Sequence, residues 1–234
     1  MTAMTLRERV FRAAEAANRR EILDTLLPRP GGILLDLGCG DGRFTMEVAR
    51  QAGVERVLGL ELVDEIAEQA RRNGVEVSQA DLAERLPFDD ASIDVVHSNQ
   101  VIEHLSFTDH FLREIRRIVR PDGYAVLSTN NLASWHNVVS LVAGWQPPPC
   151  HPSNEVLAGN PANFVDGVAG AVGQMHLRIF TARALASVAA HHGLRLDADR
   201  GAGYYPLPLS ASRFAARLDR RHAAFLVQRY VVDA

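Results

Sequence analysis

The 234-residue chain is 47% hydrophobic and 23% charged, enough apolar material for one large domain with a full core. Its net charge of -3 and pI near 6.3 argue against a general nucleic-acid binder. No apolar run reaches membrane-spanning length, and the charged N-terminus lacks the apolar stretch of a secretory signal, so a cytoplasmic protein without membrane contact is expected.

All 25 basic residues are Arg. The absence of lysine excludes a Schiff-base lysine, lysine-anchored pyridoxal chemistry and a phosphate-cradling P-loop lysine. The two cysteines, Cys39 and Cys150, are too far apart in sequence to suggest a disulfide framework or a paired metal motif.

Residues 6–27 read as one or two amphipathic helices. A buried strand at 33–37 (ILLDL) precedes a helix at 44–51. A strand at 56–61 (RVLGLE) precedes a helix at 64–73, and short strands follow at 75–79 and 92–98. The helix at 111–120 turns Phe111, Leu112, Ile115, Ile118 and Val119 to one face. Its Arg113, Arg116, Arg117 and Arg120 read as a solvated face, and Pro121-Asp122-Gly123 as its stop. YAVLST at 124–129 is again a strand. Strands alternating with helices predict an α/β fold, a doubly wound, mostly parallel sheet with helices on both faces. The rhythm breaks over about fifty residues after Thr129, where a partly helical lid is expected. It resumes at Thr181, an N-cap for a helix to His192, followed by strands at 194–199 and 224–232.

The most informative stretch is LLDLGCGDG, residues 34–42. A strand, then glycines at 38, 40 and 42, then a helix is a ligand-binding turn. The spacing departs from the dinucleotide fingerprint, in which the third glycine comes one residue later. Asp36 in the strand suits a ligand carrying a cationic group. Glu61, about twenty residues on, is placed to accept hydrogen bonds from ribose hydroxyls. Asp81 follows the third strand, where it could meet a base edge, and Ser98-Asn99-Gln100 ends the fourth. The implied ligand combines a ribose, a base and a positive charge.

These pieces together resemble the class I S-adenosylmethionine-dependent methyltransferases. The resemblance rests on LLDLGCGDG, VLGLEL, SQADLAERLPFDDASIDVVHSNQVIEHL and FLREIRRIVRPDGYAVLSTNN, roughly residues 30–131, in order and spacing. It implies a seven-stranded sheet whose last strand is antiparallel and is reached by a hairpin from the sixth. It implies S-adenosyl-L-methionine as cofactor, with Gly38, Cys39 and Gly40 along the methionine half and Asp36 helping to hold the amino group. Glu61 would take the ribose, Leu62 and Leu82 would flank the adenine, Asp81 would face its amino group, and Asn99 would offer backbone near the sulfonium. His104 would lie near the methyl group, as a base or as a brace for the following helix.

Four divisions are expected: a helical cap at 1–29, a cofactor-binding core at 30–130, a substrate lid at 131–180, and a closing helix and strands at 181–234. Trp135, His151, His176 and Tyr204 are candidate substrate contacts, with core packing or solvated loop positions as the alternative. His191 and His192 read as structural, at a helix end where a cation suits the dipole. No metal set is evident. The Asn/Asp-Pro-Pro-Tyr/Phe run of amino-methylating DNA enzymes is absent, as is the paired-Glu loop of protein arginine methyltransferases. The expected substrate is therefore a small molecule, methylated on oxygen, nitrogen or carbon and of natural-product or sugar type, by a monomer or homodimer. The alternative is a cofactor-binding, non-catalytic partner subunit. An all-Arg, Ala-rich chain suggests a bacterium of high GC content, where similar enzymes tailor secondary metabolites.

Overall fold

The computed structural model describes residues 6–153, 156, 158–161 and 175–232. In chain order the elements are α1 (Leu6–Thr25), β1 (Ile33–Leu37), α2 (Arg43–Ala52), β2 (Arg56–Leu60), α3 (Asp64–Arg72), β3 (Glu76–Ser78) and β4 (Ile93–Asn99). There follow a single 3-10 turn at Ile102–His104, α4 (Thr108–Ile118), β5 (Val119–Asn130), α5 (Trp135–Val142), α6 (Ala182–His191), β6 (Leu194–Ala202), α7 (Leu209–Leu218), a second 3-10 turn at Arg220–His222, and β7 (Phe225–Val232).

The seven strands form one sheet in the order β3-β2-β1-β4-β5-β7-β6. Strands β1 to β5 pair in parallel, while β7 runs antiparallel to both β5 and β6. The chain winds outward from β1 in one direction, then returns to β4 and winds in the other. The crevice at that reversal, outside the carboxyl ends of the strands, is where open α/β sheets take ligands.

Alternation along each strand supplies two cores. Leu35 and Leu37 of β1 face one side with Val96, Phe111, Leu112, Ile115 and Leu185; Leu34 faces the other with Ile22, Val48, Val57, Ala70 and Val95. Each fully buried aliphatic side chain contributes roughly 1.5–3 kcal/mol on this scale. On α1, the buried positions Ala14, Ala17, Asn18, Ile22 and Thr25 fall on one stripe, so a single 20-residue helix covers the second face.

Three expectations needed revision. First, α4 ends at Ile118, and Val119 already pairs with Ile93. Residues 120–123 then form a bulge before Val95 meets Tyr124. Gly123 fits there because an added Cβ would lie 2.7 Å from the Asp94 carbonyl oxygen. Second, Arg117 is not a solvated residue. Its guanidinium donates to Glu114 and to the carbonyl oxygens of Leu86 and Phe88, stapling the preceding loop onto α4. Third, the β6–β7 connection is no tight hairpin but carries α7.

The helix at α6 begins where expected. Thr181 Oγ1 accepts a hydrogen bond from the Ala184 N–H at 3.2 Å.

Candidate functional site

A cavity of about 590 Å³ opens at the carboxyl ends of β1, β2 and β4. Its wall includes Gly38, Glu61, Leu62, Asp81, Leu82, Asn99 and His104 from the sequence reading. The wall also includes Gln100, at the strand end, and Val101, Leu105 and Phe107, which had no individual role in the sequence reading.

The three glycines of the turn all have positive φ, +80°, +54° and +77° at 38, 40 and 42, a conformation that side chains resist. Their reasons differ. A Cβ on Gly38 would sit 2.6 Å from Val101 Cγ2, and one on Gly42 would press on Ala70 of α3 and on Val75 just after that helix. A Cβ on Gly40 would meet nothing within 4 Å. Gly38 and Gly42 are therefore packing glycines, and Gly40 is the one that leaves open space beside the main chain.

Two carboxylates on adjacent strands do opposite things. Asp36 is 3% exposed. It accepts from Thr45 Oγ1 at 2.6 Å and pairs with His97 Nδ1 at 2.8 Å, so it stands behind the turn and not on the cavity wall. Glu61 lines the cavity. Its oxygens accept from the Gly40 N–H at 3.1 Å and the Val63 N–H at 3.0 Å, which orients the carboxylate at the mouth of the turn. The Gly38 and Cys39 N–H groups donate to the Leu60 carbonyl, tying the turn to the end of β2. Burial raises the Cys39 thiol to about 12, so it is a neutral packing group. Asp81 caps its own loop by accepting from the Ala83 N–H at 2.8 Å.

Asn99 is fixed from a distant part of the chain: Asn18 Nδ2 of α1 donates to its side-chain oxygen at 2.8 Å. The Asn99 side-chain oxygen is thus engaged by α1, at a residue that lines the cavity. The next residue, Gln100, has φ +57°, an uncommon conformation for a residue with a side chain. Its N–H donates to the Ser128 carbonyl, its side-chain oxygen accepts from Asn130, and its Nε2 is buried without a partner among the described residues.

Beyond Asn99 the turn at Ile102–His104 presents a polar cluster. The rings of His104 and His176 lie 4.9 Å apart, and His151 stacks on His176 at 4.6 Å and 10°. His104 Nδ1 is 3.1 Å from the Met175 carbonyl and His176 Nδ1 is 2.9 Å from the Pro149 carbonyl. A carbonyl only accepts, so both histidines carry their proton on Nδ1 and present Nε2 as an acceptor. His151 is the reverse, since its Nδ1 accepts from the His176 N–H. Burial lowers all three histidines, His176 to about 4, and keeps them neutral near pH 7. The carboxyl of Glu103, fully buried, is raised to about 7 by desolvation.

Trp135 and Tyr204 go elsewhere. Trp135 stacks on His222 at 4.4 Å and donates to Asp219, and Tyr204 donates to the Asp219 carbonyl. Neither lines the cavity.

Residues 35–127 match the methyltransferase domain family. The chain carries a class I S-adenosylmethionine-dependent methyltransferase domain. Among the relatives of this domain, a probable S-adenosylmethionine-dependent methyltransferase of Mycolicibacterium smegmatis is 40% identical over 103 residues, 43% of this chain and 39% of the relative. A malonyl-[acyl-carrier protein] O-methyltransferase of Erwinia pyrifoliae is 36% identical over 121 residues, 50% of this chain and 44% of the relative. The chain thus spans less than half of either protein. An S-adenosylmethionine-dependent methyltransferase structure from Mesorhizobium loti superimposes with a TM-score of 0.62 at 18% identity, covering 93% of this chain and 99% of that one. That likeness is one of fold. S-adenosylmethionine is the cofactor of the methyltransferase domain, and the open space at Gly40, the Glu61 carboxylate and the exposed Leu62 are compatible with its methionine, ribose and adenine parts. No helix among the described residues is long and apolar enough to cross a membrane.

Proposed function

We propose that the protein transfers the methyl group of S-adenosylmethionine to an oxygen, nitrogen or carbon atom of a small molecule of natural-product or sugar type. In this reading the glycine turn holds the methionine end, Glu61 takes the ribose hydroxyls, and Leu62, Asp81 and Leu82 surround the adenine. Of the expected lid at 131–180, the described segments 131–153 and 175–180 flank the acceptor, and residues 154–155, 157 and 162–174 lie outside the described residues. The observation that carries it is the cavity of about 590 Å³ running from Gly38 and Glu61 to His104, within the usual size of small-ligand sites. The bound cofactor supplies a methyl group already activated on a sulfonium. The chain's own tasks are then to position the acceptor, to exclude water and, for a hydroxyl, to remove a proton. The lining position of His104 and its proton-free Nε2 support giving it that last task in this reading.

Calorimetry with S-adenosylhomocysteine is the first test, with micromolar binding on the order of ordinary cofactor sites expected. Binding weaker than about 1 mM would remove the reading. Incubation with S-adenosylmethionine and a panel of small acceptors should then release S-adenosylhomocysteine. Tight binding with no release from any acceptor would identify a non-catalytic partner subunit instead. His104→Ala should slow turnover while the protein stays folded, and unchanged rates at saturating substrates would end its catalytic role.

A further inference from the structure

The turn after β4 and the segment before α6 meet at one place. The Glu103 backbone oxygen accepts from the Leu177 N–H at 2.7 Å and the Arg178 N–H at 3.2 Å. This anchors the stretch carrying His176 against the stretch carrying His104. One ligand-type atom from each of Glu103, His104 and His176 then lies within 4.8 Å of the others. We propose that these three side chains form a divalent transition-metal site whose open positions take a hydroxyl oxygen of the methyl acceptor.

The donors are oriented for this role by groups outside the cluster. Both histidines donate Nδ1–H to a backbone carbonyl, of Met175 and of Pro149, which leaves Nε2 of each as the nitrogen with a lone pair for a metal. Such a hydrogen bond on the far nitrogen accompanies metal-binding histidines as a rule. The Glu103 carboxylate is held by Thr129 Oγ1 at 2.8 Å and Asn130 Nδ2 at 3.3 Å, leaving lone pairs on both oxygens. Asn130 also donates to Gln100, whose unpartnered Nε2–H provides a hydrogen-bond donor beside the cluster. His151 is not a ligand through Nδ1, because that atom accepts from the His176 N–H; it buttresses the His176 ring by stacking.

Two imidazoles and one carboxylate suit zinc, manganese, iron, cobalt or nickel better than magnesium or calcium, which favour oxygen donors. Three protein ligands leave positions free, as in catalytic rather than structural sites. Metal–ligand bonds of about 2.1 Å require tetrahedral donors roughly 3.4 Å apart, so binding draws the three side chains closer together than 4.8 Å.

The chemistry follows from the position of His104 on the cavity wall. This inference rests on the methyl-transfer reading, narrows its acceptor to a hydroxyl, and gives His104 Nε2 to the metal, so that the metal and not the free imidazole brings about loss of the hydroxyl proton. Coordination lowers the hydroxyl pKa and its proton passes to solvent. The resulting oxygen forms the new O–C bond as the C–S bond breaks, and the sulfonium becomes a neutral thioether. The products are a methyl ether, S-adenosylhomocysteine and one proton.

The test is titration of the chelator-treated full chain with Co²⁺, read by visible d–d absorption and by metal content after desalting. One Co²⁺ per chain is expected. His176→Ala and His104→Ala should each weaken it by at least about a hundredfold, more than the loss of an outer-shell partner. Glu103→Gln is a third variant, and Thr129→Val, which removes only the group orienting Glu103, covers the case in which it does not fold. Calorimetry with S-adenosylhomocysteine on wild type and His176→Ala separates the two levels. Cofactor binding without Co²⁺ binding, or Co²⁺ binding equal in wild type and both histidine variants, overturns the metal site alone. Loss of cofactor binding in the wild type overturns the methyl-transfer reading and leaves the Co²⁺ result to stand on its own.

Discussion

The two ends of the cavity are built in different ways. The end at Gly38 and Glu61 comes from two consecutive strand–turn units, and its groups are close in sequence. The end at His104 is assembled from a turn, a segment near Pro149 and another near Met175, joined by the Leu177 and Arg178 N–H bonds to the Glu103 carbonyl and by histidine Nδ1–carbonyl contacts that span 71 and 27 positions. The first end is a local motif, set by residues that lie close together in sequence. The second depends on how the later chain folds back, so it is where one member can differ from another.

The comparison can be broken at the first end by substitutions with graded effects. Gly38→Val should be the most severe. It combines a positive φ with a Cβ 2.6 Å from Val101 Cγ2, and should cost about 2–4 kcal/mol in denaturant unfolding and abolish S-adenosylhomocysteine binding. Glu61→Ala should weaken that binding by about 1–3 kcal/mol in calorimetry with little change in Tm; unchanged affinity would contradict the ribose assignment. Gly40→Ala faces open space, so only the backbone term of about 1 kcal/mol should appear in stability. A drop in stability as large as that of Gly38→Val would show that Gly40 is a packing glycine too. At the far end of the scale, Trp135→Ala should leave cofactor affinity within about twofold, because its partners are His222 and Asp219. A large loss would place Trp135 in the cavity after all.

The same contrast explains what could be read in advance. Periodicity reports which face of an element is buried, so β1, β2, α2, α3 and the buried face of α4 were legible from residues such as Leu34 and Leu35 or Phe111 and Ile115, whereas the antiparallel direction of β7 was implied by the family resemblance. The glycine turn was legible because glycine is the residue that takes positive φ cheaply. Gln100 takes the same conformation with no such marker, and only the sheet reveals it. Arg117 looked like its exposed neighbours, because a helix pattern shows side but not reach; its guanidinium spans to Leu86 and Phe88. Helix α7 was missed where Pro206 and Pro208 punctuate the sequence just ahead of it. His104 and His176 were each singled out, yet nothing local says that they meet, or that the buried Glu103 joins them.

The Asn18–Asn99 hydrogen bond has a thermodynamic consequence for the start of the chain. Asn18 also accepts from Ser128 Oγ at 2.8 Å, so one amide of the first helix is wedged between the ends of β4, which lines the pocket, and of its neighbour β5. Whatever steadies those strand ends must, by linkage, steady the helix in return. Saturating S-adenosylhomocysteine should therefore slow tryptic cleavage at Arg19 and Arg20, and Asn18→Ala should erase that protection.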